Sequence, residues 1–204
     1  MIAIVDYKAG NLRSVERALK HIGADCIITA HPHAILNAQK VIFPGVGAAG
    51  KAMEAIINTG LNRIICEVIE QETPFLGICL GTQIILDESE EDGGTKCLGI
   101  IPGKVRRFPE MDLKIPHMGW NNISVKNDHP LLDGVDRDAQ FYFVHSYFPD
   151  PADKSDTVAE TSYGVDFVSI LARKNVFATQ FHPEKSGAAG LLLLKNFSRW
   201  DGRY

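Results

Sequence analysis

Short apolar runs alternate with stretches of helical spacing through the first half of the chain. Ile2–Val5 is uniformly apolar and is closed by Asp6-Tyr7-Lys8-Ala9-Gly10, which predicts a buried strand. Leu12, Val15, Leu19 and Ile22 then recur at helical spacing, and Gly23 supplies a stop. Cys26–Thr29 predicts a second strand, with His31-Pro32-His33 as a loop. Residues 41–43 predict a third, followed at once by Pro44-Gly45-Val46-Gly47. A helical region spans about 48–71 with a break near Gly60, and Pro74-Phe75-Leu76 returns to strand. Alternation of this kind implies a parallel sheet with helices on both faces.

Beyond Leu98 the pattern changes. Residues 100–108, 115–125, 140–147, 158–162, 167–171 and 176–181 all predict strands with few helices between them. They form either an antiparallel extension of the same sheet or a smaller sheet beside it. A final helix is predicted from Gly187 to about Trp200, with Ser186 as N-cap and Leu191-Leu192-Leu193-Leu194 as core packing. With no internal repeat and no linker, residues 1–204 are expected to form one α/β domain: a mostly parallel sheet flanked by helices, with an antiparallel extension. In such sheets ligands bind at the carboxyl ends of the strands, where residues 44–47 and Cys79 both fall.

A chain of 204 residues, 45% hydrophobic and 23% charged, suits a domain with a sizeable core. The net charge of −4 and the absence of basic runs point away from nucleic acid and membrane surfaces. No apolar stretch approaches the roughly 18 residues of a membrane span, and no basic segment precedes Ile2 as in a signal peptide. Four cysteines in a chain this long are not a disulfide framework, so a reduced, cytoplasmic setting is expected. The seven histidines form no ligand-spaced cluster with them, and no metal or organic cofactor is expected.

Gly77-Ile78-Cys79-Leu80-Gly81 carries the chemistry. A G-x-C-x-G turn between a strand and the start of a helix at residues 82–86 is the thiol form of a nucleophile elbow. The reversal is so tight that the flanking positions must be nearly free of side chain, and a helix behind the sulfur favours a thiolate. A buried cysteine in a Gly-rich turn is the competing reading. A nucleophilic thiol needs a base and an orienting group, and Phe181-His182-Pro183-Glu184 supplies both. In an extended segment residues i and i+2 project to one side, so His182 can face the sulfur while Glu184 holds its other ring nitrogen. Alone, His182 reads as a satisfied surface histidine and Glu184 as a solvated acid; together with the elbow they read as a triad. An oxyanion hole is expected from the N–H of Leu80 and an amide of the 44–47 loop, Val46 or Gly47.

These residues resemble the class I (triad) glutamine amidotransferases and, more narrowly, the glutaminase subunits of imidazole glycerol phosphate synthase. Asp6-Tyr7, Gly10-Asn11-Leu12, Pro44-Gly45-Val46-Gly47, His117-Met118-Gly119-Trp120-Asn121 and Tyr142-Phe143-Val144-His145-Ser146-Tyr147 carry the narrower likeness. The resemblance implies a flavodoxin-like amidotransferase fold in which Cys79 attacks the side-chain amide of glutamine and His182 protonates the departing ammonia. It implies that Gln83, Glu91 and the backbone at Ser146 and Tyr147 hold glutamine. It also implies a heterodimer, in which ammonia passes to a (β/α)8 synthase subunit making imidazole glycerol phosphate and an aminoimidazole carboxamide ribotide. Asn11, Trp120, Tyr142 and Lys185 match positions at that interface or along the ammonia passage; read without the resemblance, Trp120 is a core aromatic. Tyr7-Lys8-Ala9 departs from the small or proline-containing turn common in the family. The competing readings are a paralogous glutaminase serving another synthase, such as one amidating surface sugars, a degenerate binding domain, and a Cys-His peptidase.

Overall fold

The computed structural model describes residues 1–8 and 11–203. Ala9, the last residue of the segment that departs from the family pattern, and Gly10, the first of Gly10-Asn11-Leu12, lie outside the described residues. The first half runs β1 (Ile2–Val5), α1 (Leu12–His21), β2 (Cys26–Thr29), α2 (Pro32–Leu36), β3 (Lys40–Gly45), α3 (Ala49–Asn58), α4 (Leu61–Glu70), β4 (Phe75–Cys79) and α5 (Leu80–Gln83). It continues through β5 (Glu88–Ser89), β6 (Thr95–Lys96), β7 (Gly103–Arg107), β8 (His117–Asn122), β9 (Ser124–Val125), β10 (Gln140–His145) and β11 (Tyr147–Pro151). Last come β12 (Thr157–Tyr163), β13 (Val165–Arg173), β14 (Val176–Thr179) and α6 (Gly187–Arg199).

The main sheet has the order β2-β1-β3-β4-β14-β13-β12-β9. β2, β1, β3, β4 and β14 pair in parallel, and β13, β12 and β9 extend the sheet antiparallel. Two small sheets sit beside it, β10-β8 and β11-β7-β5-β6, so the later strands realise both arrangements their pattern allowed.

Period-two alternation explains the two layers of core. Ala3 and Val5 of β1 point into one cluster with Ile35 of α2, Ala52 of α3 and Ile65 of α4. Ile2 and Ile4 point into the other, with Val15 and Leu19 of α1 and Leu193, Leu194 and Phe197 of α6. A strand covered on both faces carries no polar alternation, as the apolar runs of β1 and β4 show. At Gly60 the helical region breaks with φ +73, a left-handed conformation that glycine adopts without strain.

Four local expectations change. Pro32 opens the short helix α2 instead of lying in a loop, as its fixed φ suits a first helical position. The helix after the elbow is one turn, Leu80–Gln83, with no helix over residues 84–86. The 115–125 and 140–147 segments each split, into β8 and β9 and into β10 and β11, and in each case the two strands belong to different sheets. Ser186 stands at the N-cap of α6 but its hydroxyl caps nothing there: it donates to His182 O (2.6 Å) and accepts from Tyr142 N (3.0 Å).

Candidate active site

β4 lies between β3 and β14, and its register sets Cys79 opposite Gly45. Cys79 takes φ 55, ψ −107, in the left-handed half of the map, a conformation that costs a non-glycine residue about 1–3 kcal/mol. The flanking glycines are sterically required. A Cβ on Gly81 would stand 2.0 Å from Phe43 O, and one on Gly77 would stand 3.0 Å from Gly81 O. Gly45 is equally tight, since a Cβ there would meet the Leu80 Cβ at 2.7 Å. β3 and α5 therefore touch backbone to backbone, which holds the strained turn open toward the ends of the strands.

Cys79 is only 7% exposed. Its Sγ lies 4.0 Å from Val144 O of β10 and accepts from Gln180 Nε2 at 3.7 Å. His182 Nδ1 and Glu184 Oε1 are 2.8 Å apart with both side chains almost fully buried. The route to that pair differs from a purely extended one. His182 is extended (φ −98, ψ 97), and a 3-10 turn at Pro183–Lys185 then swings Glu184 back onto the ring. Accepting from Nδ1, Glu184 leaves Nε2 as the reactive nitrogen, and Nε2 makes no hydrogen bond to any described residue. Burial pushes the imidazole down, but the Cys79 thiolate and the Glu184 carboxylate outweigh it and raise the ring to about 9. Both partners thus favour the charged form of the imidazole.

Val46, Gly47, Cys79, Leu80, Gln83 and Glu91 line one side of a cavity of about 250 Å3, which Val144, His145, Ser146, Tyr147 and His182 close from the other. The N–H of Leu80, first residue of α5, has no intrahelical partner. Val46 approaches the Tyr7 hydroxyl through its amide without closing a hydrogen bond; burial pushes that phenol up to about 12, opposed by the Val46 N–H. Glu91 Oε2 accepts from Ala49 N at 2.6 Å, supplying the cap that Ala48 lacks at the start of α3. Burial raises the Glu91 carboxyl, and that N–H lowers it. Gln83 Nε2 donates to Tyr147 O (2.9 Å), and Ser146 O accepts from Phe108 N (3.1 Å). A larger hollow of about 670 Å3 lies at Met53, Cys66 and Cys97, but among the described residues it sets no base beside either thiol.

Three of the four positions matched to the subunit interface cluster on the surface. Trp120 is 53% exposed, so it is not a core aromatic. Its ring meets Tyr142 edge-on at 6.1 Å, and Lys185 Nζ sits 5.8 Å over the Tyr142 ring. Asn11 stands at the N-cap of α1, where its Oδ1 accepts from Ser14 Oγ (2.8 Å). Lys8, part of the segment that departs from the family pattern, has φ 65, a position that favours glycine. Gln180 and Val144 were not singled out from the sequence, yet both reach the sulfur. For Gln180 a signal existed: it stands two residues before His182, just past the apolar run of β14.

The family model for glutamine amidotransferase class-I matches residues 3–199. The chain is 49% identical over 197 residues to "Imidazole glycerol phosphate synthase subunit HisH" of Dehalococcoides mccartyi (strain CBDB1), covering 97% of this chain and 96% of the relative. Its identity to the protein of the same name from Nitratidesulfovibrio vulgaris (strain DSM 19637 / Miyazaki F) is 50%, covering 97% and 95%. With that of Pseudomonas syringae pv. syringae (strain B728a) it is 46%, covering 100% and 99%. Among solved structures, a glutamine amidotransferase crystal structure superposes with TM-score 0.76 at 16% identity, covering 98% of this chain and 100% of that one, a likeness of fold. With the family model spanning nearly all of its length, the chain belongs to the class I glutamine amidotransferases.

Proposed function

We propose that the chain is a single amidotransferase domain acting in the cytoplasm as the glutaminase subunit of imidazole glycerol phosphate synthase. It hydrolyses glutamine to glutamate and ammonia and delivers the ammonia to a (β/α)8 synthase subunit in histidine biosynthesis. The observation that carries the chemistry is the strained Cys79 at the wall of a glutamine-sized cavity, beside a His182–Glu184 pair closed at 2.8 Å. Near full-length identity of 46–50% to HisH proteins carries the pathway.

The Cys79 thiolate attacks the side-chain carbonyl carbon of glutamine, and the oxygen takes up negative charge facing the Leu80 N–H and the Val46–Gly47 loop. His182 gives its Nε2 proton to the nitrogen, the C–N bond breaks and ammonia leaves a glutamyl thioester. Water then adds with His182 as base, the C–S bond breaks, and glutamate departs as the thiolate is restored. Glu184 holds the imidazole and stabilises its charged form. Gln83, Glu91 and the pinned backbone of Ser146 and Tyr147 hold the amino-acid end of glutamine.

The exposed face of β8 and β10 supports the docking role. Met118 and Trp120 are 62% and 53% exposed, the aromatic and Met character of a partner surface. β10 joins that face to the site directly, since Tyr142 O accepts from His182 N at 2.9 Å and Val144 O lies against the sulfur. The decisive experiment measures glutamate release by the purified chain, alone and with the histidine-pathway synthase subunit and its nucleotide ligand. Strong stimulation by the liganded partner is expected; thiol-dependent activity that ignores this partner would refute the assignment of pathway.

A further inference from the structure

The sulfur has one donor that neither the triad nor the glutamine contacts use. Gln180 is fully buried one residue past β14. Register explains its place: Thr179 pairs with Ile78, so the next residues along the two parallel strands, Gln180 and Cys79, lie side by side. Its Nε2 is 3.7 Å from Cys79 Sγ, an ordinary N–H···S separation.

Elementary chemistry fixes which end of the amide faces the sulfur. Tyr147 O can only accept, and it takes hydrogens from Gln83 Nε2 (2.9 Å) and His145 Nδ1 (2.8 Å). Gln83 gives its second N–H to Gln180 Oε1 at 3.1 Å. With its oxygen engaged, Gln180 presents nitrogen to the sulfur. The same carbonyl orders the rest of the chain of bonds. His145, protonated on Nδ1, accepts at Nε2 from His117 Nδ1 (3.0 Å), and His117 Nε2 accepts from Asn121 Nδ2 (3.3 Å). Burial keeps both rings neutral, pushing His117 down to about 4 and His145 to about 3, so each link has one direction.

We propose that Gln180 is a further catalytic residue: its side-chain N–H donates to the Cys79 sulfur and stabilises the thiolate, held in that orientation by a hydrogen-bond relay that ends at Asn121 on β8. The inference rests on Cys79 being the nucleophile. It also answers a shortfall at the elbow, because a helix of one turn brings little dipole to the sulfur. The titratable groups facing the sulfur are His182, backed by Glu184, and Tyr7 from the end of β1; His145 lies beyond His182. Gln180 is the uncharged donor among them.

The test is the pH dependence of alkylation of Cys79 by iodoacetamide in the full chain, read site by site against Cys26, Cys66 and Cys97. Wild-type protein is expected to react fastest at Cys79; uniform labelling would overturn the nucleophile reading and this inference with it. Gln180→Met removes the donor at similar length. It is expected to move the midpoint of the Cys79 profile up about one pH unit, which slows labelling about tenfold on the rising limb below the midpoint, the low end of a hydrogen bond to an anion. Gln180→Glu keeps an acceptor for Gln83 but places an anion at the sulfur, and is expected to slow labelling further. If Cys79 labels fastest in wild type and both variants, folded by circular dichroism, keep its profile, Gln180 only fills space and the proposal falls. Should the variants unfold, the wild-type chain still decides: the Gln180 side-chain amide NMR signal is expected to shift as Cys79 ionises, and a signal that does not move would overturn the proposal.

Discussion

An alanine at Gly81 would set its Cβ 2.0 Å from Phe43 O and 3.1 Å from the Phe43 ring. Real Cβ atoms essentially never approach closer than 3.0 Å, so β3 and α5 must part by about 1 Å. Neither side has slack: Phe43 is 0% exposed, Leu80 is 2%, and Phe43 is stacked on Tyr7 at 5.0 Å. The opposing atom is backbone, so no rotamer change relieves the clash. Overpacking of a core costs typically about 1–3 kcal/mol, and a backbone clash belongs at the upper end, about 3 kcal/mol. For a domain of this size each kcal/mol is worth about 2–4 °C, so a fall in Tm of about 6–12 °C is expected. Gly47→Ala is the internal control. Its φ of +93 makes alanine strained, but no atom lies within 4 Å of the added Cβ, so the cost is strain alone, about 1–2 kcal/mol. Scanning calorimetry of the two variants, with Cys79 labelling as a second readout, decides the matter. Gly81→Ala within about 1 °C of wild type would mean that the elbow is not held by close backbone contact, and equal losses in the two variants would mean that strain outweighs the clash.

Cys79→Ala is expected to abolish glutamine-dependent synthesis by the complex while ammonia-dependent synthesis continues; loss of both would make Cys79 structural. His182 has its folded pKa raised, to about 9, so its stabilising contribution is complete below the unfolded value near 6.5 and disappears as pH rises through about 9. Imidazole NMR is expected to show that midpoint falling in Glu184→Gln, with a smaller loss of turnover than in His182→Ala; an unmoved midpoint would remove Glu184 from the triad. His117 and His145 have folded pKa values lowered to about 4 and about 3, so their contribution is complete above the unfolded value near 6.5 and is lost as pH falls toward those values. Urea midpoints are expected to drop from pH 7 to pH 4.5, and to drop less in His117→Gln; equal slopes would refute buried neutral rings. Trp120→Ala is expected to weaken binding of the synthase subunit at least about tenfold, measured by calorimetry, and to leave Cys79 labelling untouched. Unchanged affinity would take Trp120 out of the interface.

The parallel half of the fold was legible because its inner strands are buried on both faces and its helices on one, which gives two distinct periodicities. Ile2–Val5 and Cys26–Thr29 stand where the apolar runs put them. The elbow was legible for a related reason. Gly77, Gly81 and Gly45 are demanded by backbone contacts of 2.0–3.0 Å, and such demands leave a mark at fixed spacing. What did not show was anything decided between distant segments. The break between β10 and β11 falls inside one apolar-rich run, because His145 turns inward to His117 while Tyr147 pairs with Arg107 in another sheet. Ser186 has the residue type of a cap, but Tyr142 N arrives from 44 residues away and takes its hydroxyl. Local pattern carries no information about that arrival.

Trp120 shows the same limit in reverse. On β8 the exposure pattern alternates, with His117 buried and Met118 exposed, and continues with Gly119 and Asn121 partly covered and Trp120 and Asn122 exposed. An aromatic on the outward register of a two-stranded ribbon is indistinguishable in one sequence from an aromatic on the inward register, because a shift of one residue exchanges the faces. The partner of β8 settles the register: Tyr142 stands opposite Trp120, and His145 opposite His117. His117 and His145 are thereby committed to the interior and Trp120 and Tyr142 to the outer face. The ribbon therefore carries the proposed docking surface on one side and the relay to the sulfur on the other, separated by the width of a strand. A substitution at Trp120 and one at His117 thus test opposite faces of the same strand, one expected to change affinity for the synthase subunit and the other the site behind it.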